Sequence, residues 1–208
     1  MNFDVIAWLV FAAAALTMGL IGVAELAANQ IALQLASITF MIPMGIGQAA
    51  TVRVALAIGR GDSAGAATAG WVAIGLGVAV IALAAAVMWT WPGVLVSFFV
   101  DPFHNETADV AALAASFLIV AAAFQLVDAT QGIAAGALRG LKDTRVPMVV
   151  AAIGYWVIAA PLGLALAFPL GLRGIGIWIG LACGLAVVAA MLVWRWRRLT
   201  TNAALRSS

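Results

Sequence analysis

The chain of 208 residues has one cysteine and one histidine, and only 9% of its residues are charged. Each scarcity excludes something. With Cys183 alone there is no intramolecular disulfide and no multi-cysteine metal site. With His104 as the single histidine, a zinc centre lacks the clustered ligands it needs. A soluble domain carries about a quarter charged residues, so a chain this poor in charge cannot coat a water-facing surface. There is no nucleophile elbow and no paired catalytic constellation, which argues against an enzyme. The Gly59, Gly61, Asp62 turn lacks the Lys and Ser/Thr of a phosphate cradle. The net charge of +2 rests on too few residues to point to nucleic acid.

What the chain has is apolar length. It is 66% hydrophobic, with a mean hydropathy of +1.16. About 20 apolar residues cross the roughly 30 Å of bilayer hydrocarbon. Runs of that kind fall at 4–24, 31–59, 66–89, 108–138, 146–168 and 175–196. The first Lys or Arg is Arg53, so the opening run reads as a span and not as a cleaved signal peptide. The short joints fall at 25–30, 60–63, 101–107, 139–145 and 169–174. The expected fold is all-α and polytopic: one six-helix lobe over 1–198, then a short tail at 199–208.

Six spans put both ends on one side, and the basic residues choose the side. Arg60, the Arg139, Lys142, Arg145 joint and the tail residues Arg195, Arg197, Arg198 and Arg206 share one face. The opposite face has Arg173 with Glu25, Asp101, Glu106 and Asp109. The C-terminus is therefore expected in the cytoplasm, with the lobe in a bacterial-type inner membrane. Trp194 and Trp196 suit the interfacial aromatic belt. Arg53 is close enough to a span end to snorkel.

Three spans carry irregularities. Pro43, followed by Gly45 and Gly47, predicts a bend or break in the second, because proline removes a donor and clashes with the preceding turn. Pro161 with Gly163 predicts the same in the fifth. Gly176, Gly180 and Gly184 recur every four residues in the sixth, on one face where a neighbouring helix can approach closely.

Asp128 stands out because the membrane should exclude it: a charge at the bilayer centre costs about 2.5–3.5 kcal/mol on insertion scales. No basic residue lies between Arg60 and Arg139 to pair with it locally. Phe124, Asp128 and Gln131 share a helical face, flanked by Gln125 and Thr130. Such a face suits a polar cavity, where a carboxylate with amide neighbours can hold sodium through its oxygens or carry a proton. Asp4, the other acid inside a span, reads locally as a solvated end.

Four segments together resemble one family. They are FMIPMGIGQAATVRVALAIGRGD from Phe40, FQLVDATQGIAAGALRGLKDT from Phe124, YWVIAAPLG from Tyr155 and PLGLRGIGIWIGLACG from Pro169. They resemble helices eight, ten, eleven and twelve of multidrug and toxic compound extrusion (MATE) transporters, in the NorM-type branch. The resemblance implies a polyspecific exporter of organic cations or amphipathic compounds in exchange for sodium or protons, with two six-helix lobes around a central cavity. This chain would supply the C-terminal lobe, helices seven to twelve. Asp128 matches the acid of helix ten implicated in cation coupling, and Asp4 matches the acid of helix seven, which turns the reading of Asp4 toward function. Phe124 stands where some members carry a tyrosine near the cation, so sodium and proton stay equally open. Almost nothing precedes Asp4, whereas the family's helix seven begins well before its acid. The expectation is that part of that helix lies outside this sequence, by truncation, a split gene or a misplaced start. The polar face around Asp128 would then need an N-terminal six-helix lobe or a second copy of the chain. A sodium ion at Asp128 is the one metal implied, and no organic cofactor is. Two other readings are a lipid-linked sugar flippase of the same superfamily, disfavoured by the lack of basic residues in the spans, and a non-transporting membrane fragment or scaffold.

Overall fold

A computed structural model describes residues 3–100 and 107–206, with side chains described for 9–100 and 107–201. Its helices are α1 (Phe3–Ile21), α2 (Val23–Gly59), α3 (Ser63–Thr90), α4 (Pro92–Ser97), α5 (Ala108–Gly140), α6 (Arg145–Ile153), α7 (Ala160–Ala167) and α8 (Arg173–Arg206). A wide π-helical turn, Gly154–Ala159, joins α6 to α7 into one span. The described residues contain no strand. Five helical stretches are long and apolar enough to cross a membrane, and Leu9–Ile21 adds a shorter apolar helix. The expected all-α, membrane-spanning lobe is what the chain forms.

The joints differ from expectation in four places. The first break falls at Gly22 and not at 25–30, so Glu25 and Asn29 sit inside α2 and are buried. Alanine and leucine favour helix there, and an acid in a first turn complements the helix dipole. Glu25 also has a partner far along the chain: Arg173, at the start of α8, lies 2.9 Å from its carboxylate. Secondly, α2 runs unbroken through Pro43. The hydroxyl of Thr39, one turn earlier, lies 3.0 Å from the Ala36 carbonyl oxygen and 2.5 Å from Gln125 Oε1. These bonds tie the turn before Pro43 to α5, and membrane helices tolerate proline where neighbouring helices pack against them. Thirdly, α4 is a short helix that begins on Pro92, a residue suited to a first helical turn. Finally, α8 continues through the expected tail to Arg206, since nothing after Trp196 breaks a helix and basic residues suit its C-terminal end.

The fifth span keeps its irregularity. Pro161 cannot donate to the carbonyl four residues back, and the π turn lies immediately before α7. Wide turns of this kind relieve the ring clash and keep the backbone bonded.

Packing centres on α5, which is buried against α2, α3 and α8. Its core includes Phe117, Leu118, Ile133 and Leu138, with Trp178 and Trp196 of α8 fully buried beside it. The glycines at four-residue intervals in α8 meet the fifth span. A Cβ at Gly176 would overlap the Leu166–Ala167 backbone, one at Gly180 the Gly163 backbone, and one at Gly184 Ala159 and the Gly154 carbonyl. At one end, Arg195 of α8 pairs with Asp143 of the α5–α6 turn. Trp194, exposed, stacks under the Arg198 guanidinium at 4.2 Å.

Candidate functional site

The α2–α5 contact begins as a close backbone crossing and then opens. A Cβ on Gly136 would overlap the Gly47 carbonyl. The Thr51 hydroxyl lies 2.8 Å from the Gly136 carbonyl oxygen and 3.0 Å from that of Gly47. From this crossing a cavity of about 640 Å³ spreads between the helices. One face of α2 lines it: Phe40, Pro43, Met44, Gly47, Gln48 and Thr51, recurring at helical spacing. From α5 come Asp128, Gln131, Gly132, Ala135 and Arg139. Phe11 of α1 and Tyr155 of the π turn complete the wall.

Asp128 is the charged group set deepest into this wall. It is 9% exposed and lies 12 residues before the end of α5, about 18 Å along the helix axis. Gln131 donates from Nε2 to its Oδ1 at 3.3 Å. Among the described residues no ion pair holds it. Tyr155 lines the same cavity. Gln131 Oε1 is buried without a hydrogen-bond partner; such an unmade bond costs about 1–3 kcal/mol.

The structure divides the polar face expected of α5. Asp128 and Gln131 come together on the cavity, whereas Phe124, Gln125 and Thr130 do not line it. Phe124 is buried edge-on between Phe11 (5.9 Å between centroids) and Trp178 (5.5 Å). Gln125 is turned toward α2 and α3, accepting from Thr39 and donating to the Met88 sulfur at 3.1 Å. Thr130 bonds back to the Leu126 carbonyl at 2.6 Å. The helix turns by about 100° per residue, so flanking positions fall to other neighbours. Pro43 lines the cavity and Pro161 does not. Asp4 lies in α1 by its backbone, but its side chain is outside the described residues. Gln48, Thr51, Arg139 and Tyr155 are site residues that sequence reasoning missed. The Phe40, Met44, Gln48, Thr51 spacing could have revealed the α2 face; nothing near Tyr155 in sequence points to α5.

Membrane-length helices that wall a cavity around a buried, unpaired carboxylate define a polytopic membrane protein with a polar site inside the bundle. The chain belongs to the MatE family, whose model matches residues 4–165. It is 56% identical to a probable multidrug resistance protein NorM of Mesorhizobium japonicum over 189 residues, which are 91% of this chain and 40% of that relative. It is 48% identical to the multidrug resistance protein NorM of Burkholderia vietnamiensis, covering 92% of this chain and 42% of the relative. The chain thus spans about 40% of the length of the curated relatives it matches. Among solved structures, the eukaryotic MATE transporter AtDTX14 aligns with a TM-score of 0.73 at 25% identity, over 89% of this chain and 41% of that one. A MATE transporter in complex with MaL6 aligns at 0.83 and 15% identity, over 96% and 45% respectively, and shares the fold.

Proposed function

We propose that the chain is the C-terminal half of a cation-coupled multidrug antiporter, exporting cationic or amphipathic small molecules in exchange for sodium or protons. The observation that carries this reading is the position of Asp128: a carboxylate on the wall of a large cavity, inside a span, with no counter-ion holding it among the described residues. The relatives' names add multidrug resistance, and their greater length agrees with a partner lobe of six further helices, or a second copy, facing the cavity.

The mechanism is alternating access in the bacterial inner membrane, with the C-terminus in the cytoplasm. A coupling ion shifts a conformational equilibrium only through different affinities for the two states. Loading Asp128 with an ion compensates the buried charge, and α2, α5 and the π turn around it can then repack. Asp4, on α1, is the second acid proposed to assist. Phe11, Phe40, Met44 and Tyr155 supply the apolar and aromatic surface that an amphipathic cation needs. Arg139 is the one basic residue among the described residues on this cavity wall, whereas a pyrophosphate-bearing lipid would need several.

The test is dye movement in liposomes that hold the chain with its partner lobe, driven by an imposed sodium or proton gradient. Gradient-driven export is expected for the wild type. Full export by Asp128→Asn would sink the coupling role.

A further inference from the structure

The reading of Asp128 as the ion-loading group leaves one neighbouring atom unexplained. Gln131, one helical turn along α5, is 3% exposed and lines the same cavity. Its amide nitrogen donates to Asp128, yet its carbonyl oxygen is buried and unpartnered. Buried polar atoms are normally paired. The Thr51 hydroxyl does not relieve this one, because it is engaged by the backbone oxygens of Gly47 and Gly136. Gln125, the other buried glutamine of α5, has both ends satisfied. Among the described residues, the other buried side-chain atoms without a partner, on Asn29, Trp178 and Trp196, are N–H donors, so Gln131 Oε1 is the unpartnered acceptor.

The chemistry of the pair is specific. A proton needs one oxygen, and Asp128 alone supplies it. A hard cation needs several oxygen ligands, and carbonyl oxygens replace its hydration shell well. Asp128 and Gln131 offer a carboxylate and a spare carbonyl from adjacent turns, with the cavity open for water to complete the shell.

We infer that Gln131 is the second oxygen ligand of a sodium site shared with Asp128. This deepens the reading of Asp128 as the coupling group and rests on it. On loading, the terminal amide turns so that Oε1 replaces the amide nitrogen toward the ion. That torsion is broad and roughly two-fold, so the turn requires no backbone movement. Among the described residues, the other ionisable groups facing this cavity are Arg139, 11 residues along α5 from Asp128 and so about 16 Å distant along the axis, and Tyr155 of the π turn. From α2 and α1 the wall receives Gln48, Thr51 and Phe11, none of which ionises in the working range.

The experiment is binding of radioactive sodium to the full chain in lipid nanodiscs, at fixed pH, with folding checked by gel filtration and tryptophan fluorescence. Gln131→Met keeps length and volume but removes the amide oxygen, and should weaken sodium binding by about tenfold or more. Gln131→Glu restores an oxygen and should bind sodium at least as well as the wild type. Asp128→Asn should not bind. Wild-type affinity in folded Gln131→Met, no binding in folded Gln131→Glu, or no sodium binding by the wild type would each overturn the Gln131 assignment and leave Asp128 free to work with protons. Retained binding in Asp128→Asn would instead overturn the underlying reading.

Discussion

Two helix contacts in this lobe use the same small residue for different ends. Where α8 meets the fifth span, Gly176, Gly180 and Gly184 bring backbones together over three successive turns. Where α2 meets α5, the close backbone approach lies at Gly47, Gly136 and Gly140, and the cavity holding Asp128 opens beside it, before Thr39 meets Gln125 further along. Small residues let membrane helices pack without a hydrophobic driving force between them. The first contact uses this to make a close apolar seam. The second uses it to make a close crossing beside a polar cavity. The lesson is that glycine spacing marks close approach, and the polar residues on the same face decide whether that approach serves rigidity or a site.

Substitutions can break this comparison in graded steps. Gly180→Ala should have the largest effect on folding, because the added methyl overlaps the Gly163 backbone and no flexible side chain can yield. Overpacking of this kind costs about 1–3 kcal/mol, readable as a lower midpoint in detergent thermal unfolding. Thr51→Val should cost less, about 0.5–1 kcal/mol, through loss of the interhelical bond to Gly136. Gly47→Ala should move the midpoint by no more than about 0.5 kcal/mol, since its added methyl finds ordinary contact distances of 3.4 Å or more to Gly132 and Ile133. A large loss at Gly47 and none at Gly180 would overturn this comparison.

Much of this was legible in the sequence. Apolar length gave the spans, since the bilayer imposes it. Asp128 and Gln131 were legible because polar residues inside such a span have few explanations, and the α8 glycines because their spacing matches the helix. What stayed hidden depends on partners distant in sequence. Glu25 and Asn29 resembled a polar joint because the partner that keeps Glu25 helical and buried, Arg173, is far along the chain. Gln125 and Phe124 looked equivalent to Asp128 until α2, α3, α1 and α8 each claimed a different side of α5. Tyr155 reaches the cavity through a π turn whose local cue is Pro161, six residues away. The turn of α2 before Pro43 is tied through the Thr39 hydroxyl to Gln125 of another helix.

The central claim is that the α2–α5 wall carries the transport chemistry through Asp128, and that the α8 seam only holds the lobe together. Its most direct test is gradient-driven dye export per folded molecule for Asp128→Asn, assembled with the partner lobe. The account predicts export reduced to background with the unfolding midpoint unchanged or raised, because a neutral amide is cheaper to bury than a carboxylate. Export at the wild-type rate per folded molecule would contradict it.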